Sequence, residues 1–324
     1  MLELTDPLWS KLDAAFRDQN IPALLGELAV SWNDDTATTL LFGVLWHQGS
    51  CYGATYAAVP HLLKIADPEG NRHQRREIAI FLAQIALDGR GQLPDGPPEG
   101  TALQGLPETL DGWDRKLDCY RSLVEMLENP DRPHSRRELE RLPHYKNVLA
   151  TPPVNADDLE KILSIKAGFC LALPAIRALC ERTLLEDPDE GAAPYLLSGV
   201  AAADGLINIA RLLNFGAEGI FKCASCGWGY EFIRFGERIA VYADSAPGTR
   251  GVDKGVQDYR ERAPSRADGF LTPITETDVL DARIAALLSL AERAPGPMPA
   301  LLVRHFAGSF GCCKCGALGP MQAL

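Results

Sequence analysis

The chain is short of positive charge. Its 324 residues carry 43 Asp and Glu against 32 Lys and Arg, a net charge of −11 and a pI near 5.1. A nucleic-acid surface needs a basic face, so this balance argues against nucleic acid as a partner. It suits solubility, and it suits a basic protein partner, because opposite charge speeds encounter and selects partners. Long apolar runs are also missing. The best candidate, Ala192 to Ala203, contains Pro194 and Ser198. A membrane-spanning helix needs about 18–20 apolar residues, so no membrane segment is expected. The familiar catalytic signatures do not occur: there is no P-loop, no dinucleotide glycine fingerprint, no Gly-x-Ser-x-Gly and no His-Glu-x-x-His. Histidine is scarce, at six residues, and His73, His134, His144 and His305 show no ligand spacing. The first residues, Met1-Leu2-Glu3-Leu4-Thr5-Asp6, are acidic and unlike a secretory leader. With nine cysteines, this predicts a reducing cytoplasmic setting in which stable disulfides are disfavoured.

What is present is a duplicated Cys-x-x-Cys-Gly. The first copy is Cys223-Ala224-Ser225-Cys226-Gly227 and the second is Cys312-Cys313-Lys314-Cys315-Gly316. Each motif places two thiolates on one tight loop, and two loops supply the four sulfurs of a closed tetrahedral Zn²⁺ site. The glycine permits the positive φ that turns backbone N–H groups toward the sulfurs. The expected ligands are therefore Cys223, Cys226, Cys312 and Cys315, around a structural zinc. Cys313 is a spare thiol, and whether it can replace Cys312 is left open. The 85 residues from Gly227 to Gly311 make a long gap, but loop-closure entropy grows slowly with length. Disulfides, a redox dithiol and separate metals between subunits are the competing readings. The βαβ context of a redox motif is missing, and four sulfurs leave no open position for zinc catalysis.

Residues 1–215 read as helices joined by turns. A helical hairpin is expected over 35–66, with Leu40, Leu41, Val44 and Leu45 on one face, a break at Gly49-Ser50, and Pro60 kinking the second helix. A helix over 72–87 should bury Ile78, Phe81, Leu82, Ile85 and Ala86. A loop rich in Gly and Pro follows over 88–112, then a helix over 114–128. The next helix starts at Asn155, whose side chain can cap it while Asp158 completes the pair. Asp34-Asp35 and Asp157-Asp158 sit at helix starts, where negative charge suits the dipole. Arg132, Arg136, Arg137 and Arg141 read as a solvated face. Another helical pair is expected over 192–213. Helix pairs at about 40-residue intervals predict a mainly α protein, either a HEAT-like α-solenoid or an irregular helical bundle.

The pattern changes at Gly216. Aromatic and β-branched residues over 219–223, 229–235 and 238–243, with a turn at Gly236-Glu237, predict a small antiparallel β-hairpin carrying the first zinc knuckle. A polar loop over 245–272, a helix capped by Thr275 and Asp278 and running to Glu292, and a last helix over 298–306 complete the chain. The expected domains are thus 1–215, helical repeat, and 216–324, a zinc-ribbon-like module.

The run from Leu45 to Leu62 reads Leu-Trp-His-Gln-Gly-Ser-Cys-Tyr-Gly-Ala-Thr-Tyr-Ala-Ala-Val-Pro-His-Leu. It resembles the Trp-His-Gln-Gly, Tyr, Ala-Val-Pro pattern of uncharacterised bacterial HEAT-like helical-repeat proteins. The resemblance covers about 30 residues closely. It implies an α-solenoid, and by analogy the role of an immunity protein that neutralises a toxin. Read physically, the run is a turn between packed helices, with Trp46, His47, Gln48, Tyr52 and His61 as candidate recognition residues. The leading expectation is a non-enzymatic protein-binding protein. One alternative is an enzyme using His47, Cys51 and His61. The other is a nucleic-acid-binding zinc module, with Lys222, Lys314, Arg234 and Arg238 as cations and Trp228, Tyr230 and Phe232 as stacking rings.

Overall fold

A computed structural model describes residues 1–15, 19–47, 50–66, 71–90, 106–139, 142–186, 189–216, 218–243 and 264–323. Most of the glycine- and proline-rich loop expected over 88–112, most of the polar loop expected over 245–272, and Gln48 and Gly49 lie outside the described residues. The protein is mainly helical, with small antiparallel sheets. It divides into two compact units, Met1–Ala175 and Ile176–Leu324. The boundary expected at residue 215 marks where the type of element changes. The boundary found lies 40 residues earlier, inside a helix, so two helices group with the sheet.

The first unit opens with a 3₁₀ turn, Pro7–Ser10, capped by Asp6, whose carboxylate accepts from the Leu8 N–H at 2.9 Å. Helices α1 (Ile21–Val30) and α2 (Asp34–Thr38) follow, each capped by an asparagine. The chain widens into a π-helical stretch, Thr39–Leu45, which buries Leu40, Leu41, Val44 and Leu45. The expected turn is a two-stranded ladder, β1 (Trp46–His47) with β2 (Ser50–Cys51). It leads into α3 (Gly53–Ala66), which holds Pro60 inside it. Then come α4 (Arg72–Arg90), α5 (Leu110–Glu128), α6 (Arg136–Leu139), α7 (Leu142–Ala150) and α8 (Ala156–Glu186). The five predicted core residues of α4 are all fully buried.

The start of α8 forms as the sequence predicts. Asp158 N–H donates to Asn155 Oδ1 at 2.9 Å and Asn155 N–H returns to Asp158 Oδ2 at 3.0 Å. Lys11 Nζ meets the same carboxylate at 2.5 Å. Burial raises the Asp158 pKa, but the Lys11 ammonium and the Asn155 N–H outweigh it, so the group sits below its ordinary value. The 31-residue α8 holds an 18-residue window of mean hydropathy 1.7, 28% buried, so by length and composition alone it could cross a membrane, a test that the core helix of a soluble protein also passes.

The second unit packs α9 (Ala193–Ala203) on α10 (Ile207–Phe215), and α10 against the first strand of a five-stranded antiparallel sheet. The strands are β3 (Glu218–Cys223), β4 (Gly229–Phe235), β5 (Arg238–Ala243), β6 (Gly269–Phe270) and β9 (Met321–Ala323), in the order β6-β5-β4-β3-β9. Period-2 alternation puts Phe221, Tyr230 and Phe232 on one face, where Phe306 and Phe310 complete a cluster of rings. Helices α11 (Ala282–Arg293) and α12 (Met298–Phe306) pack on one another. The cap expected at Thr275 needs correcting. Thr275 and Asp278 do pair, with Thr275 N–H on Asp278 Oδ2 at 2.6 Å, but they close a separate turn. The helix starts seven residues later, at Ala282, with Asp281 as its cap.

Candidate metal centre

The two cysteine motifs fold into matching knuckles. The first lies between β3 and β4, and the second between β7 (Phe310–Gly311) and β8 (Leu318–Gly319). In the first, Gly227 N–H donates to Cys223 O at 2.9 Å and Cys223 N–H to Trp228 O at 2.9 Å. In the second, Gly316 N–H donates to Cys312 O at 2.8 Å and Cys312 N–H to Ala317 O at 2.9 Å. Gly227 and Gly316 both adopt φ of 73°, which a side chain would strain, so each motif ends in glycine. The residue pattern therefore dictates the same loop twice.

The knuckles face each other, and their sulfurs interleave. Cys223 Sγ lies 3.9 Å from Cys315 Sγ, and Cys226 Sγ lies 3.7 Å from Cys312 Sγ. All four sulfurs fall within 4.8 Å of one another. A disulfide would need about 2.05 Å, so these are thiols. Four sulfurs at about 2.3 Å from a central ion stand about 3.8 Å apart along a tetrahedron's edges, a spacing the observed pairs match. The four residues fit a metal ion. Among the described residues this is the one cluster of potential ligands. Cys223 and Cys312 are buried, while Cys226 and Cys315 are exposed at the loop tips.

Backbone N–H groups prepare the sulfurs for negative charge. Burial pushes the Cys312 thiol up. The Tyr230 hydroxyl and the N–H groups of Cys315 and Lys314 outweigh it, and hold Cys312 down at about 6. At Cys226 the Trp228 N–H pulls the thiol down, but burial and the neighbouring thiols push it up to about 12. These donors favour the thiolate at Cys312, and a bound cation would favour the charged form of the other ligands. Tyr230 was missed as part of this site in the sequence. Its buried hydroxyl lies 3.0 Å from Cys312 Sγ and 3.4 Å from Cys313 Sγ. Cys313 itself is exposed and outside the sulfur cluster.

The C-terminal strand is fastened at the same place. β9 pairs with β3, setting Met321 opposite Cys223. Asn208 of α10 clamps it from the side, donating from Nδ2 to Met321 O at 2.8 Å and accepting from Ala323 N–H at 2.7 Å.

The Trp46-to-His61 residues are tied inward. The Trp46 indole donates to Asp88 Oδ2 at 2.6 Å. His61 is buried with Nε2 2.8 Å from Leu2 O. Tyr52 N–H donates to Thr55 Oγ1 at 2.8 Å, and His47 is half-buried. Across the ladder Cys51 stands opposite Trp46, and His47 opposite Ser50. Side chains alternate along a strand, so His47 and Cys51 leave on different faces. Burial and the Asp88 carboxylate push the Cys51 thiol far up, with the Tyr56 hydroxyl beside it. A protonated, buried thiol is a poor nucleophile. Of the candidate stacking rings, Tyr230 and Phe232 are buried in the core, and Trp228 is half-buried with Lys314 Nζ 4.7 Å from its ring centre.

No family model, no curated protein and no solved structure matches this chain.

Proposed function

We propose that the four thiolates hold one structural Zn²⁺, and that the protein is a non-enzymatic bacterial protein-binding protein of the cytoplasm. The carrying observation is the sulfur tetrad, with edges of 3.7 and 3.9 Å contributed by two knuckles 85 residues apart. Four sulfurs fill the coordination of zinc and leave no place for a reacting water, so the ion's work is to fasten the chain. None of the nine cysteines is paired in a disulfide, which suits a reducing compartment. The helical half, read as a HEAT-like body, offers the recognition surface. A net charge of −11 favours a basic partner. The most specific form of this reading is an immunity protein that neutralises a toxin. Affinity capture from the native host tests it: a basic protein at stoichiometric yield is expected, and capture of none contradicts it. Elemental analysis of reduced protein tests the metal separately.

A further inference from the structure

Strand β9 is held in the way a bound peptide is held. Its three residues pair with β3 in the register Phe221↔Ala323, Lys222↔Gln322 and Cys223↔Met321. Met321 and Ala323 are buried on the face that carries Phe221, while Gln322 between them is exposed. Among the described residues no strand pairs with the other edge of β9. Asn208 takes that place. Its carboxamide donates to Met321 O at 2.8 Å and accepts from Ala323 N–H at 2.7 Å, the two groups that a neighbouring strand would engage. Asn208 belongs to α10, which packs on β3, so the slot for the strand is built without β9 itself. The Asn208 bonds go to main-chain groups. The slot therefore asks of its occupant an extended chain with two apolar side chains two positions apart.

Three residues are a weak anchor, because short strand pairings are marginal in water. The stretch before β9 is no firmer. β7 and β8 pair over two residues each, with the second knuckle between them. Phe310, by contrast, is buried against Phe221 and Tyr230, with ring centres 4.9 and 5.1 Å away. A metal in the sulfur tetrad ties Cys312 and Cys315 to the first knuckle, and Met321 follows Cys315 by six residues. A tether that short keeps β9 at its own β3 at an effective concentration of about millimolar order. Without the metal, the chain beyond Phe310 hangs on two short ladders and the Asn208 clamp.

We propose that in the metal-free protein β9 of one copy pairs with β3 of a second copy, and the reverse, giving a two-fold strand-exchanged dimer. The occupant is the one segment already seen to fit the slot. Its contacts are the same within one chain and between two, so exchange needs only release of the segment. The inference rests on the metal reading above, and it names what the metal prevents. Bound zinc holds each β9 on its own chain.

Size exclusion with light scattering, on reduced full-length protein, compares the zinc-bound and chelated states. Chelation is expected to double the mass. The peptide acetyl-Ala-Leu-Gly-Pro-Met-Gln-Ala-amide, which copies residues 317–323, should bind the chelated protein saturably and return it to its starting mass. The same peptide with Asp in place of its Met and its last Ala should bind at least about tenfold more weakly, because its charges would enter an apolar site. Asn208→Ala changes an exposed side chain, removes two hydrogen bonds and should weaken the first peptide about tenfold. A doubly substituted protein, Met321→Asp with Ala323→Asp, keeps the four ligand cysteines and vacates the slot with zinc in place. It should take the peptide without chelation, and it decides alone if chelation unfolds the second unit. An unchanged mass in a folded chelated protein, a dimer that the peptide does not dissolve, equal binding of the two peptides, or no peptide binding by the doubly substituted protein would overturn the proposal. Zinc content is measured separately. Protein that holds no zinc removes the metal reading, and its own mass and peptide titration still decide strand exchange.

Discussion

Cys51 in the first unit and Cys312 in the second share a residue type and nearly the same solvent exposure, 1% and 2%. Each also has a tyrosine hydroxyl beside it, Tyr56 for one and Tyr230 for the other. Their thiols are nevertheless driven in opposite directions. Cys51 is pushed far up by burial and by the Asp88 carboxylate, while Cys312 is held at about 6. Cys51 lies deep among apolar groups, while Cys312 lies near the surface in a knuckle. Loss of water pushes both thiols up, but at Cys312 the Tyr230 hydroxyl and the N–H groups of Cys315 and Lys314 outweigh it, whereas Cys51 faces the Asp88 carboxylate and has no such backbone donors acting on it. Cys180 makes the same point, since burial pushes it up to about 12. A buried sulfur becomes a ligand where backbone donors replace the water, and an inert piece of core where they do not.

The sharpest way to break this contrast is Cys312→Ser. It removes both the ligand and its donors' target, and should reduce zinc affinity by more than the about 10–100-fold that loss of an outer-shell partner costs. Competition with a chromogenic chelator measures it. Retention of stoichiometric zinc at wild-type affinity would mean that Cys313 or another group takes the place of Cys312. Tyr230→Phe comes next. The ring and its packing stay, the O–H···S contact goes, and affinity should fall about 10–100-fold with the sheet intact. Unchanged affinity would make Tyr230 a packing residue alone.

On the helical side, Asp158→Asn should lower stability by about 1–2 kcal/mol near neutral pH, through the Asn155 cap and the Lys11 pair. The folded pKa is below the unfolded one, so this contribution is present above about pH 4 and lost as pH falls through the lowered value. Thermal melts of wild type and variant should therefore converge toward pH 2–3. A gap that stays constant into acid would show that the charge is not responsible. The smallest effect is expected for Cys51→Ala, about 1 kcal/mol for a small buried deletion, with zinc content unchanged. Native Cys51 should also resist thiol reagents until the unit unfolds.

The four-cysteine cluster was legible because its chemistry is local. Cys-x-x-Cys-Gly dictates a loop, and two copies dictate a tetrad whatever the intervening length. Asn155 and Asp158 were legible for the same reason. Thr275 and Asp278 misled because the same spacing also closes an isolated turn, and only the chain beyond decides which. β9 was invisible: three residues carry no usable alternation, and its place depends on β3 and Asn208, more than 90 residues away. Tyr230 and Phe232 sit two apart on one strand, which puts them on the same face, but the sequence does not say which face packs against Phe306 and Phe310. The grouping of α9 and α10 with the sheet is likewise a matter of long-range packing. It left no mark at Gly216, where the element type changes.

X-ray absorption at the zinc edge, on reduced protein purified without added metal, tests the central claim most directly. One zinc per chain surrounded by four sulfurs at about 2.3 Å is the predicted result. No zinc, or a shell containing nitrogen or oxygen in place of a sulfur, would contradict it.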